Sequence, residues 1–93
     1  MVTTPRWSDG EDLVVIGLYK RLLADELRGV TLDLNQEILR TSGVAKTAGA
    51  VRMRLQNVSA LLERKGLPRI QHLSPLSNYP DQLERLVDAS LPW

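Results

Sequence analysis

Cysteine and phenylalanine are both absent from this chain of 93 residues. Without cysteine there is no disulfide, no thiolate nucleophile and no cysteine-ligated zinc site. Without phenylalanine the core must be aliphatic, with two tryptophans and two tyrosines as the only large rings. No apolar run approaches the ~20 residues of a membrane span, and the first residues show no secretory signal. We therefore expect a single cytoplasmic domain over residues 1–93, with a loose leader over residues 1–6.

Residues that carry out catalysis are also scarce. His72 is the only histidine, and it lies in a proline-rich stretch without a nucleophile or a Cys/His cluster. The acids lie mainly at the starts of predicted helices, where capping explains them. Neither the Asp…Glu-x-Lys spacing of metal-dependent nucleases nor a glycine-rich phosphate loop occurs. The sequence therefore predicts a binding protein without catalytic activity, cofactor or metal.

The charged residues are sorted along the chain. Between residues 40 and 72 there are seven bases and one acid, a net charge of +6. The rest of the chain carries five bases and ten acids, a net charge of −5, so the total of +1 hides a strong separation. A basic segment of this kind is typical of proteins that bind nucleic acid, although many charge runs are ordinary solvated surface.

Apolar periodicity and capping residues predict four helices. Helix one covers residues 8–28, helix two 34–41, helix three 48–65 and helix four 79–90, while residues 67–78 form a loop or a small wing. Helix two, a turn of three to five residues and helix three make a helix–turn–helix pattern. The predicted fold is mainly α, a three-to-four-helix bundle with a helix–turn–helix core. The apolar stripe expected to bury helix one is Leu13, Ile16, Leu23 and Leu27, widened by Val15, Tyr19 and Leu22.

Helix three has two distinct faces on a helical wheel. An apolar arc, expected to lie in the core, contains Val51, Leu55, Val58 and Leu62. A second arc has small residues at its start, which allow close approach to DNA, and long polar side chains one turn later. Arg52 can pair with guanine O6 and N7, and Gln56 suits adenine. An ordinary solvent-exposed face is the alternative. The second arc consists of Ala48, Arg52, Gln56 and Ser59, bordered by Gly49 and Met53.

Further polar residues flank this second arc. Arg40, Lys46 and Arg69 are candidates for phosphate contacts, which position a protein on DNA without specifying sequence. If the segment after helix three forms a wing, Gln71 and His72 lie near a groove or the DNA backbone. Ordinary surface exposure is the alternative for each of these residues.

Three other residues allow two interpretations. Arg54 lies beside the apolar arc, where a phosphate contact or an intramolecular ion pair suits it better than base reading. Trp7 precedes the cap of helix one, where a hydrophobic staple packs. Trp7 and Tyr79 are expected to be packing residues, and the alternative is that they line a pocket for a modified base.

Two stretches resemble known DNA-binding modules. Residues 6–13, RWSDGEDL, with Tyr19 after them, resemble the opening of Myb/SANT-like three-helix modules. Residues 46–58, KTAGAVRMRLQNV, resemble the third helix of N-terminal modules that precede HNH nuclease domains in bacterial restriction proteins. Those helices read Arg-Ser/Thr-x-x-Ala/Ser-Val/Ile-x-Met/Tyr-Lys/Arg-Leu/Ile-x-Asn. They continue into a Gly/Pro loop and a Leu-Ser-Asn stretch, matched here by residues 76–78.

The second resemblance implies the DNA-recognition part of a modification-dependent (type IV) restriction endonuclease. Such modules bind double-stranded DNA containing methylated, hemimethylated or hydroxymethylated cytosine, and an HNH nuclease domain, absent from these 93 residues, would belong to the parent protein. In the major groove, the methyl group of 5-methylcytosine lies where thymine carries its own methyl group. Arg52 beside Thr47, Ala48 and Met53 could therefore contact both the methyl group and the adjacent guanine, and the same set would read an unmodified T–G step. The residues that the family implies for DNA binding are Lys46, Thr47, Arg52 and Gln56, followed by Ser77 and Asn78.

Two functions of other classes are open alternatives. A Myb/SANT-like protein-interaction module would bind a basic partner through the acidic helices one and four. A small helix–turn–helix transcriptional regulator would dimerise through the apolar positions of helix four. The sequence does not fix the oligomeric state. The apolar positions of helix four are Leu83, Leu86, Val87 and Leu91.

Overall fold

The computed structural model describes residues 6–93 and contains four helices in that range. They are α1 (Asp9–Leu27), α2 (Leu34–Arg40), α3 (Ala48–Arg64) and α4 (Asp81–Ser90). The predicted mainly α bundle is confirmed, and the bounds of α1, α2 and α3 agree with the predicted ones to within one residue. Residues 1–5 of the predicted leader lie outside the described part of the chain.

Residues 67–78 contain no strand, so of the two predicted forms this stretch is the loop. Two local predictions are wrong. The connection between α2 and α3 covers residues 41–47, which is longer than the expected turn. α4 begins at Asp81 and not at residue 79, because Pro80 has the extended backbone angles φ −80° and ψ 157° at the N-cap. Proline also holds the residue before it in extended backbone, which delays the helix.

Side-chain caps fix the starts of the first three helices. The Ser8 hydroxyl accepts from the Glu11 N–H at 3.1 Å, and the Glu11 carboxylate accepts from the Ser8 N–H at 3.1 Å, which together form a capping box. Asp33 caps α2 and Thr47 caps α3, each by accepting from the N–H three residues later. These bonds are local, which is why the sequence alone located the helix starts.

α3 lies at the centre of the fold. It packs against each of the other three helices, and α1 also packs against α4. The apolar arc predicted for α3 is buried: Val51, Leu55, Val58 and Leu62. None of the helices formed by residues 6–93 combines the length and the apolar character needed to cross a membrane.

The buried face of α1 is centred differently from the predicted stripe. Leu13 is 49% exposed and Leu27 is 66% exposed, so their assignment to the core is wrong. Asp12 is fully buried instead. Successive residues of a helix differ by 100°, so Leu13 falls outside the face that contains Asp12. The periodicity missed Asp12 because a carboxylate is buried only where other groups satisfy it.

A buried hydrogen-bond network joins α1, α3 and the loop after α3. The Tyr19 hydroxyl lies 2.7 Å from the Ser59 hydroxyl and accepts from the Ile70 N–H at 2.8 Å. All three residues are fully buried, and burial raises the pKa of Tyr19. Ser59 was predicted on the exposed arc of helix three. That prediction is wrong, because Ser59 belongs to the core.

Tyr19→Phe is expected to lower the free energy of unfolding by about 1–3 kcal/mol, because it leaves the Ile70 N–H and the Ser59 hydroxyl buried without a partner. Urea unfolding followed by circular dichroism measures the change.

Tyr79→Phe is the matched control. The Tyr79 hydroxyl accepts one hydrogen bond from Arg64 at 2.9 Å, in an exposed position. Its loss is expected to change stability by no more than about 0.5 kcal/mol. Equal effects of the two substitutions would contradict the structural role given to Tyr19.

Candidate nucleic-acid interface

Most bases of the positive segment are paired with acids in the folded chain. Four pairs join α3 or its flanks to α1 or α4, and a fifth closes the turn after α3. The charge separation seen along the sequence is therefore largely cancelled in space, and the free positive surface is much smaller than +6. The pairs are Lys46 with Glu11, Arg54 with Asp12, Arg64 with Glu84, Lys65 with Asp88, and Arg69 with Glu63.

Arg54 forms a buried ion pair with Asp12. Its Nε and Nη2 atoms donate to the two carboxylate oxygens at 2.8 and 3.2 Å. The amide of Gln82, from α4, donates to the same carboxylate at 3.1 Å and to the Trp7 carbonyl at 3.3 Å. The sequence allowed either a phosphate contact or an intramolecular ion pair for Arg54, and the structure shows the ion pair.

Lys46 forms an ion pair with Glu11, the residue before Asp12. Its Nζ donates to both carboxylate oxygens of Glu11 at 2.8 and 2.9 Å, and its side chain is only 9% exposed. The Trp7 ring contacts two cations, with its centroid 5.1 Å from the Lys46 Nζ and 4.8 Å from the Arg54 Cζ. Lys46 thus fastens the segment before α3 to α1, and a phosphate contact would require it to leave this pair.

Arg69 holds a turn together. Its Nε donates to Glu63 at 2.9 Å, and its Nη1 donates to the carbonyl oxygens of Ile70 and Leu73 at 3.1 and 3.3 Å. Glu63 is eleven residues after Arg52 on α3, a separation of about 16 Å along the helix axis. The predicted phosphate contact of Arg69 would therefore lie far from Arg52. Gln71 and His72 are exposed in the same distant turn.

Asn57 is a structural residue that the sequence reading did not single out. It is buried on α3, and its amide donates to the Leu76 carbonyl at 2.6 Å. The Leu76 N–H donates in turn to the Gln56 carbonyl at 3.1 Å. These bonds hold Leu76 beside the middle of α3, and Asn78 lines a cavity with Ala50 and Met53 of its first half. Ser77 and Asn78 are both exposed. The final asparagine of the family pattern was a signal that could have identified this contact.

Two bases of the positive segment have no ion-pair partner among residues 6–93. Arg40 is exposed at the end of α2, and Arg52 is half-buried in the first half of α3. Gln56 is also half-buried, one turn after Arg52. Thr47 is exposed, and its hydroxyl oxygen accepts from the Ala50 N–H at 3.1 Å. The two free cations of the positive segment therefore lie at the end of α2 and in the first half of α3.

A groove between α2 and α3 opens beside Arg52. Its volume is about 360 Å³. Ala48 and Gly49 are exposed in the first turn of α3, and a Cβ added to Gly49 would meet no atom within 4 Å. A ligand can therefore approach the backbone of this turn closely. The lining residues are Asn35, Ile38, Leu39, Ala48, Gly49 and Arg52.

Comparison of the chain with protein-family models, with curated proteins and with solved structures found no match.

Glu11→Gln is expected to destabilise the protein in a pH-dependent way. The Lys46 ammonium, with the N–H groups of Ser8 and Ala45, lowers the pKa of Glu11 from 4.5 to about 2. Because the folded-state pKa is the lower one, the stabilisation is complete above the unfolded-state value and disappears as the pH falls toward 2. The difference in unfolding free energy between wild type and Glu11→Gln should therefore shrink between about pH 5 and pH 2.

Urea unfolding at a series of pH values measures this difference, and Lys46→Met provides the second arm of a double-mutant cycle. In the Lys46→Met background the pH dependence caused by Glu11→Gln should be smaller. A difference that stays constant from pH 6 to pH 2 would show that the Glu11 carboxylate is not stabilised in its charged form.

Proposed function

We propose that this chain is a double-stranded DNA-binding domain that inserts the first half of α3 into the major groove. The observation that carries the proposal is the position of the two free cations of the positive segment. Arg52 borders the groove beside the small first turn of α3, and Arg40 directly follows Leu39, another lining residue. A cation one turn behind small residues is the arrangement that lets a helix approach base edges closely and still reach them.

Each residue near the start of α3 has a distinct task in this proposal. Ala48 and Gly49 permit close approach, and Arg52 donates to guanine O6 and N7. Gln56 faces an adjacent base pair, while Arg40 contacts a phosphate and positions the domain. With Arg40 as the one free cation contacting a phosphate, the slope of log K against log salt is expected to be about −1, much shallower than a free charge of +6 would give.

Specificity for modified cytosine is part of the proposal. A 5-methyl group beside the guanine bound by Arg52 would lie near Ala48, and Thr47 and Met53 are the further candidate contacts on α3; Met53 is 52% exposed. In a type IV restriction endonuclease of the cytoplasm, cleavage would be carried out by a separate HNH domain. This module would then supply recognition alone.

The alternative functions lack a supporting observation. A basic protein partner would need free acids, but Glu11, Asp12, Glu84 and Asp88 are paired with the bases of α3 and its flanks. The exposed acids of α1 and α4 without an ion pair within residues 6–93 are Asp9 and Asp81, which is a small acidic surface. Dimerisation through the apolar residues of α4 would need Leu83 and Val87, and both are fully buried within this chain. DNA binding uses groups that the fold leaves free.

Arg52→Ala is expected to reduce affinity for the preferred duplex by about 1–3 kcal/mol and to relax its sequence preference, because the guanine contact is lost. Arg40→Ala should weaken all duplexes alike. Fluorescence anisotropy with a duplex selected from a random library, at two salt concentrations, measures both effects. The same duplex unmodified, hemimethylated, fully methylated and hydroxymethylated tests the modification preference.

Arg85→Ala is the matched control, because Arg85 is an exposed cation on α4 without an ion pair within residues 6–93. Its loss changes the net charge equally but should leave affinity nearly unchanged. Equal losses for Arg52→Ala and Arg85→Ala would indicate that only net charge matters. Salt-insensitive behaviour, or no duplex binding, would refute the proposed function.

A further inference from the structure

Leu39 has an apolar side chain that is not buried in the core. It is 70% exposed on α2, whereas its neighbour Ile38 is buried in the core. A single exposed leucine is common on protein surfaces, so exposure alone assigns no role. The position of Leu39 is more informative, because it lines the α2–α3 groove together with the guanidinium-bearing side chain of Arg52.

The groove combines two kinds of surface. Ile38 and Leu39 give it an apolar side, and Ala48 and Gly49 leave room at the first turn of α3. Arg52 adds a cation without an acidic partner in the described chain. In the major groove of DNA, the C5-methyl group of a pyrimidine lies beside the acceptor edge of a neighbouring guanine. A methyl group and a guanine at adjacent base pairs would therefore meet Leu39 and Arg52 together.

We propose that the α2–α3 groove is a subsite for the 5-methyl group of a pyrimidine, with Leu39 as its main apolar contact. The inference rests on the proposed function and adds to it a residue on α2, outside the recognition helix. The methyl group is supplied by thymine or by 5-methylcytosine, which share this chemistry. The competing occupant is an apolar side chain of a partner protein, which would use Leu39 independently of DNA.

The test uses a duplex selected from a random library, in which each thymine is replaced in turn by deoxyuridine. This replacement removes the methyl group and leaves the base-pairing hydrogen bonds unchanged. At one position the wild-type protein should bind the thymine duplex roughly fourfold more tightly than the deoxyuridine duplex, which is the effect expected from burying one methyl group. Leu39→Ala should bring this ratio close to one while keeping the same dependence of binding on salt. A parallel pair of duplexes with cytosine and 5-methylcytosine at that position identifies the natural source of the methyl group.

Two variants serve as controls. Leu27→Ala removes a leucine that is 66% exposed on α1 and lines a separate cavity with Leu62 and Trp93. It should keep the wild-type ratio. Leu39→Met preserves an apolar side chain of similar size and should also keep it. Thermal unfolding checks that all variants are folded.

The outcomes separate this inference from the proposed function. Loss of duplex binding in the wild-type protein would refute both. Salt-dependent binding with no thymine–deoxyuridine difference at any position would refute only the methyl subsite. An unchanged ratio in Leu39→Ala would also refute it and would leave a protein side chain as the occupant of the groove.

Discussion

The buried ion pair between Asp12 and Arg54 is the interaction on which the arrangement of this fold depends. A carboxylate and a guanidinium removed from water are tolerated only when both are paired and their remaining hydrogen-bonding capacity is used. Here α1 supplies the acid, α3 the base, and Gln82 of α4 a further donor to the acid. Any rotation of α3 against α1 would leave a buried charge unpaired. Arg52 precedes Arg54 by two residues and so lies about 160° away around the helix. The inward position of Arg54 thereby directs Arg52 to the groove side of α3.

The same logic explains why the charges are sorted along the sequence. A base-rich α3 packs between α1 and α4, whose acids meet its bases on both sides. Each exposed pair contributes little to stability, but like charges brought together would oppose packing, so the pattern favours this set of neighbours over others. The basic segment therefore serves mainly to select α1 and α4 as the helices that pack against α3. Within this segment, Arg40 and Arg52 are the two bases that pair with no acid of the described chain.

The parts of the structure that were predictable from the sequence are those set by nearby residues. The Ser8 and Thr47 caps act over three residues, and the apolar arc of α3 follows from helical periodicity. Ser59, Lys46 and Arg69 could not be placed in this way. A serine on a helical wheel, or a cation in the chain beside a helix, is expected to be solvent-exposed until its partner is known. The partners of Ser59 and Lys46 are 40 and 35 residues away in the chain. Arg69 pairs with a residue only six positions away, but the turn that joins them has no periodic signal.

Under the proposed function, the small number of free cations near the α2–α3 groove would constrain how the domain recognises DNA. Non-specific affinity comes from neutralised phosphates, so a binding surface with two free guanidinium groups would have little of it. Discrimination between DNA sequences would then have to arise from contacts with base edges and methyl groups. These contacts contribute more binding free energy when the side chains are already held in place, because less conformational entropy is lost on binding. The paired residues provide that rigidity, since Lys46 and Glu11 fix the start of α3 and Arg54 fixes its rotation. Under the proposed function, using most of its bases to build the fold would lower the affinity of this domain for arbitrary DNA and sharpen its preference for a matching site.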